Sequence, residues 1–150
     1  MPQSLSKILL HIIFSTKNRQ PLIRPEIKDE LYAYMAAICN EHHCHAHKIG
    51  GVADHVHIAC NLARTISVSE LLEEIKKSSS KWIKTKGNAY RNFFWQNGYG
   101  AFSLGMSQLP TVIKYIENQR EHHRQKTFQE EYREFFKKYK IEYDEKYVWD

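Results

Sequence analysis

No stretch of this 150-residue chain approaches the roughly 20 consecutive apolar residues that a bilayer-crossing helix needs, although 42% of its residues are hydrophobic. The apolar stretch Ile8 to Phe14 is interrupted by His11 and runs into Ser15-Thr16-Lys17-Asn18-Arg19, where a secretory leader would carry small residues for cleavage. It therefore reads as a strand, and no membrane partner is expected. Cysteine is scarce. Cys39, Cys44 and Cys60 make an odd number and contain no CxxC pair, which argues against a disulfide framework and fits a reducing cytoplasm. There is no internal repeat and no low-complexity linker, so residues 1–150 are expected to form one domain with a real core.

Acidic residues are missing from one region. Lys76, Lys77, Lys81, Lys84, Lys86 and Arg91 fall in a segment without a single Asp or Glu, whereas the stretch from Phe128 onward mixes both signs. The formal net charge of +5 says little by itself, but this local block says more. Trp82, Tyr90, Phe93, Phe94 and Trp95 lie in or beside it. Cations that meet phosphates, next to rings that stack on unpaired bases, suit a nucleic-acid surface. Lys76, Lys77, Lys81, Trp82, Lys84 and Arg91 are the candidate nucleic-acid contacts; the alternative is a solvated helix face.

The chemistry concentrates in Asp54-His55-Val56-His57-Ile58. Side chains alternate along a strand, so His55 and His57 point the same way, about 7 Å apart, and can share a metal ion. Asp54 can accept a hydrogen bond and orient one imidazole. The bland reading is a core histidine satisfied by a backbone carbonyl. Downstream, Tyr115 and Gln119 are four residues apart in a segment that reads as helix, which puts both on one face. Gln119 could complete a set of two nitrogens and one oxygen, leaving positions open for phosphate and water. By default Tyr115 is a half-buried aromatic and Gln119 a solvated residue. His122 and His123 follow; His122 falls on the Tyr115 face and reads as solvated or phosphate-contacting. The cluster His42-His43-Cys44-His45-Ala46-His47 matches no zinc spacing and sits where the chain changes direction, so it is not taken as a metal site.

Pattern and punctuation predict a first strand over 6–14, a helix over 26–40, strands over 45–49 and 52–62, and a turn or bulge at Gly50-Gly51. A helix should follow Ser67, an N-cap with Glu70 as its capping-box partner, and run to about Gly87. Residues 92–100 should be loop or hairpin and 101–106 a strand. Pro110 should open another helix, and 128–139 a last one, with the aromatic tail 141–150 packed across the molecule. This order predicts an α+β, ferredoxin-like split βαβ fold. It would have one antiparallel sheet, helices on one face, a C-terminal nucleophile-bearing helix, and the histidines on the open face.

These residues together resemble the single-tyrosine HUH transposase family, the small IS200-like transposases of minimal bacterial insertion sequences. The likeness spans nearly the whole chain. It rests on His11-Ile12-Ile13-Phe14-Ser15-Thr16-Lys17-Asn18-Arg19, on Gly50-Gly51-Val52-Ala53-Asp54-His55-Val56-His57 and on the basic segment Lys76-Lys77-Ser78-Ser79-Ser80-Lys81-Trp82-Ile83. Trp95-Gln96-Asn97-Gly98-Tyr99-Gly100-Ala101-Phe102-Ser103, Tyr115-Ile116-Glu117-Asn118-Gln119 with His122-His123, and the ending Tyr147-Val148-Trp149-Asp150 complete it. The resemblance implies that His55, His57 and Gln119 hold Mg²⁺ or Mn²⁺ and that Tyr115 attacks the scissile phosphate. A 5′-phosphotyrosine intermediate and a free 3′-OH would result. It further implies single-stranded DNA with hairpins as substrate, a homodimer with composite active sites, and a cytoplasmic, nucleoid-associated protein. The competing readings are a domesticated hairpin-binding relative that no longer moves DNA, a metal phosphodiesterase that uses water, and a replication-type HUH nickase. Intact Tyr115, His55, His57 and Gln119 favour the transposase over the binding module, and the short chain favours it over the nickase.

Overall fold

The computed structural model describes residues 2–123 and 126–150, the side chain of His122 excepted. Four strands, β1 (Leu9–Ser15), β2 (Ala46–Val52), β3 (His55–Asn61) and β4 (Gly100–Leu104), form one antiparallel sheet in the order β2-β3-β1-β4. This is the strand order of the expected ferredoxin-like fold. Helices α1 (Pro25–Glu41) and α2 (Val68–Lys84) cross between strands, and α3 (Leu109–Glu117), α4 (Gln119–His122) and α5 (Phe128–Lys138) follow the sheet.

Period-2 alternation divides the sheet into two faces. Leu10, Ile12 and Phe14 of β1, with Val56, Ile58 and Cys60 of β3, pack under Leu31 and Met35 of α1 and Leu71, Leu72 and Ile75 of α2. Each such fully buried aliphatic side chain contributes about 1.5–3 kcal/mol. The other face carries Leu9, His11 and Ile13 of β1 and His55, His57 and Ala59 of β3. It was expected to be open, and it is covered. Leu109 and Ile116 of α3 pack on Leu9 and Ala59, while Phe128, Tyr132 and Phe136 of α5 pack on Ile13 and Phe102. The physical reason is that the histidines share their face with aliphatic and aromatic side chains that themselves need burial. β1 and β3 are accordingly buried along nearly their whole length.

Two glycines let these helices come down. A Cβ on Gly50 would lie 2.8 Å from Ile116 Cγ2 and 2.9 Å from the Ile116 carbonyl, and one on Gly100 would lie 2.6 Å from the Tyr132 ring. Gly50 and Gly51 are therefore strand residues, paired with His57 and Val56, and the turn falls at Ala53-Asp54 instead. Gly100 opens β4 and serves close packing.

The caps follow the sequence. Ser67 Oγ accepts from the Glu70 amide at 3.1 Å and donates to its carboxylate at 2.9 Å, and Thr127 does the same for Glu130 at the start of α5. α2 ends at Lys84, a few residues short of Gly87. Residues 92–99 are loop apart from a bridge between Thr16 and Trp95. The tail packs as expected: the carbonyl of Asp150 accepts from Gly98 N at 2.8 Å and Gln96 Nε2 at 3.1 Å, and the Trp149 ring centroid lies 5.7 Å from the Arg19 guanidinium and 5.0 Å from that of Arg133.

Candidate active site

His55 and His57 leave β3 on the same face, as their spacing requires, and both are fully buried. Each ring is held from behind. His55 Nδ1 lies 2.7 Å from Asp54 Oδ1, and His57 Nδ1 lies 2.8 Å from His11 Nε2 on the neighbouring strand. Both Nε2 atoms are thereby turned to a common point. Asp54 thus has the orienting contact expected of it. His11 was missed; a histidine at an inward position of an apolar run was the available signal.

At the common point sits a residue the sequence reading did not single out. Glu131 of α5 is 1% exposed. Its Oε1 lies 3.0 Å from His57 Nε2 and 3.3 Å from His55 Nε2. Its Oε2 accepts from the Tyr115 hydroxyl, from Gln119 Nε2 at 3.3 Å, and lies 3.2 Å from His123 Nε2. A signal did exist in the pattern: Phe128, Tyr132, Phe135 and Phe136 form the apolar stripe of α5, and Glu131 stands inside it at helical spacing. A carboxylate in such a stripe needs partners.

Tyr115 and Gln119 are brought together with the histidines, though not on one unbroken helix. α3 ends at Glu117 and α4 starts at Gln119, with Asn118 between them at φ −96°, ψ 18°. Gln119 Nε2 still reaches the Tyr115 carbonyl at 3.4 Å, and Gln119 Oε1 lies 3.2 Å from His55 Nε2. The Tyr115 ring centroid is 5.6 Å from that of His57. All these groups belong to one chain. His122, by its side chain, lies outside the described residues. In the rejected cluster, His45 and His47 touch edge-to-face and His47 Nε2 pairs with Asn61.

The electrostatics follow from burial and from Glu131. Burial works to lower His55, but its hydrogen bonds to Asp54 and Glu131 outweigh this and raise it to about 9. Burial dominates at His57 and brings it down to about 4 against the pull of Glu131. Burial would raise Glu131, yet contacts with His123, His55 and His57 hold its carboxyl far below the usual range. Tyr115 is pushed up by burial and by the Glu131 charge beside it, so it is a protonated phenol that needs help to act as a nucleophile. Among the described residues, His55, His57, His123 and Glu131 can each offer one ligand atom with all four atoms within 4.8 Å of one another. Imidazole nitrogens with amide and carboxylate oxygens suit a divalent cation.

The basic residues are split by the fold. Lys76 turns inward: its ammonium donates to the carbonyls of Gln96 at 2.9 Å, Asn97 at 3.3 Å and Gly98 at 2.6 Å, and lies 5.0 Å from the Phe14 ring centroid. Lys77, Lys81 and Arg91 are exposed. Lys84 lies over the exposed Phe94 ring at 4.3 Å, and Trp82 stacks on Tyr34 at 5.0 Å. This group lies on and beside α2, on the opposite side of the sheet from the histidines. Clefts of about 540 Å³ beside Arg120 and His123, and about 330 Å³ beside Tyr115 and Lys138, flank the buried cluster, and Lys126 lines both.

Residues 4–119 match the family model described as "Transposase IS200 like". The chain belongs to this transposase family, whose members cut and join DNA. Solved structures that share the fold include two transposases. One is a candidate transposase of Deinococcus radiodurans R1, with 19% identity, TM-score 0.61, and coverage of 79% of this chain and 98% of that one. The other is a REP-associated tyrosine transposase bound to a REP hairpin, with 14% identity, TM-score 0.58, and coverage of 82% and 73%. No curated protein sequence matches the chain. Among the described residues no helix is long and apolar enough to cross a membrane.

Proposed function

We propose that this protein cleaves and rejoins single-stranded DNA at hairpins, with Tyr115 as nucleophile and His55, His57 and Gln119 as ligands of Mg²⁺ or Mn²⁺. One observation carries this reading: the Tyr115 hydroxyl and the Nε2 atoms of His55 and His57 converge on the two oxygens of one carboxylate, Glu131. This convergence supports a nucleophile and two metal-ligating nitrogens that act on one phosphate. The ion, when bound, polarises the scissile phosphate and stabilises its developing charge.

Tyr115 Oη forms the new bond to phosphorus, and the bond to the 3′ oxygen breaks. The phenol proton ends on that oxygen, giving a 5′-phosphotyrosine and a free 3′-OH. An incoming 3′-OH reverses these steps and joins new ends. Because one ester replaces another, no nucleotide triphosphate is needed. Asp54 and His11 keep the imidazoles in place, and the aromatic packing of α5 excludes bulk water that would otherwise hydrolyse the intermediate.

The hairpin-bound relative supports a hairpin substrate. Lys77, Lys81, Lys84, Trp82 and Arg91 form the proposed DNA surface of this chain, with cations for the stem phosphates and rings for unpaired bases. Lys76, tied to three carbonyls, holds the loop beside that surface. The resemblance implies a homodimer with composite sites; the contacts of Tyr115 and Gln119 with Glu131 and His55 of the same chain support assembly within one subunit instead. The protein would act in the cytoplasm, at the nucleoid.

The test uses 3′-labelled single-stranded hairpin DNA from the flanks of the encoding gene, with Mn²⁺, on a denaturing gel. A labelled band at protein mass, lost with chelator, is expected. Hairpin binding without any adduct would replace this reading with that of a binding module.

A further inference from the structure

Glu131 is out of place for a helix residue whose neighbours on the same stripe are Phe128, Tyr132, Phe135 and Phe136. Burying an ionised carboxylate costs several kcal/mol unless specific groups receive it. Here the described receivers are three imidazoles, a phenol and an amide. Such a set is unusual for a merely structural carboxylate and suitable for one that shares a cation with its neighbours.

The distances point the same way. A six-coordinate site with bonds of about 2.1 Å places adjacent ligand atoms about 3 Å apart. Glu131 Oε1 lies 3.0 Å from His57 Nε2 and 3.3 Å from His55 Nε2, and Gln119 Oε1 lies 3.2 Å from His55 Nε2. The two imidazoles present the same nitrogen, each with its other nitrogen engaged by Asp54 or His11, which is how metal-ligating histidines are fixed. Two imidazoles and one amide are a neutral set, and a hard divalent ion prefers an anionic oxygen among its ligands.

We propose that Glu131 is a ligand of the divalent ion through Oε1, while its Oε2 holds the Tyr115 hydroxyl. This rests on the reading of His55 and His57 as metal ligands. The site then has a fourth protein ligand, contributed by α5, and one carboxylate ties the ion to the nucleophile. The rival arrangement is a plug: Glu131 fills the place of the ion and leaves when the ion binds. The two differ in sign. Removing a ligand weakens binding, whereas removing a plug strengthens it.

The experiment is a titration of the full chain with Mn²⁺, followed by loss of the free-ion EPR signal and by calorimetry. It uses the wild type, Glu131→Gln, Glu131→Asp, His57→Ala and Tyr115→Phe. Wild type and Tyr115→Phe should bind alike. His57→Ala should lose binding, and Glu131→Gln should bind at least ~10-fold more weakly, the least expected for loss of a group that fixes a metal site. Glu131→Asp, which keeps the charge but shortens the arm, should fall between and decides the matter if Glu131→Gln does not fold. Affinity unchanged or tighter in the folded Glu131 variants, with His57→Ala still defective, overturns the ligand role and leaves the histidine site standing. Absence of Mn²⁺ binding by the wild type overturns both.

Discussion

The Nε2 of His57 lies 3.0 Å from Oε1 of Glu131, a residue 74 positions later in the chain. The contact joins the centre of the sheet to the last helix, so the chemistry of the site depends on α5 as much as on β3. Glu131 also accepts from Tyr115, which places the proposed nucleophile in the same network.

Tyr115→Phe should abolish the covalent adduct while hairpin affinity stays within about twofold, because only the phenolic oxygen is removed from a half-buried ring. The measurement is gel detection of labelled protein alongside a binding isotherm. Residual adduct in this variant would remove Tyr115 from the role of nucleophile. His57→Ala should lose adduct formation as well; full activity in Mn²⁺ would end its assignment as a ligand.

Mixing His57→Ala with Tyr115→Phe distinguishes one-chain from two-chain sites. With the set assembled inside one subunit, every subunit of the mixture lacks one component and no adduct forms. Recovery of adduct in the mixture would show that α3 is exchanged between copies.

Gly50→Ala should disturb the site from a distance. The added Cβ meets Ile116 Cγ2 at 2.8 Å and the Ile116 carbonyl at 2.9 Å, so α3 must shift. Overpacking of this kind costs about 1–3 kcal/mol. Thermal unfolding should show the loss, and adduct formation should fall further than stability does, since Tyr115 precedes Ile116 in the chain. A variant with wild-type melting and activity would show that α3 adapts without moving its tyrosine.

Lys76 and its neighbours should separate in two assays. Lys77→Ala with Lys81→Ala should weaken hairpin binding and flatten its salt dependence, with little change in stability. Lys76→Met should mainly destabilise, by about 1–3 kcal/mol, since the carbonyls of residues 96–98 lose their donor. Burial lowers the Lys76 ammonium to about 8 from an ordinary 10.5. Between those values the folded chain releases a proton that the unfolded chain keeps, so stability from this group grows as pH rises through the window and is lost as pH falls through about 8. Wild type should therefore gain on Lys76→Met between pH 8 and 10 in denaturant titrations, by of order 1 kcal/mol after allowing for partial exposure. A constant gap would mean that the three carbonyls keep the ammonium charged throughout.

What the sequence determined is whatever one element encodes in itself. The x-His-x-His alternation put His55 and His57 on one face, Ser67 capped α2, and Tyr115 with Gln119 came within one turn of each other. Strand and helix order was enough for the fold. Local pattern could not show that Lys76 turns into the protein while Lys77 stays outside, because that depends on the loop at 96–98 that covers it. Nor could it show that the histidine face is covered. Gly50 reads as a turn or bulge residue and Gly100 as part of a loop or hairpin, and only the docking of Ile116 and Tyr132 against them shows that they make room for helices. Tertiary structure alone brought Glu131, His11 and the two histidines together. Period-2 and helical patterns fix which way a side chain points from its own element, whereas the meeting of groups 46 and 74 residues apart is fixed by how helices and strands pack over a shared core.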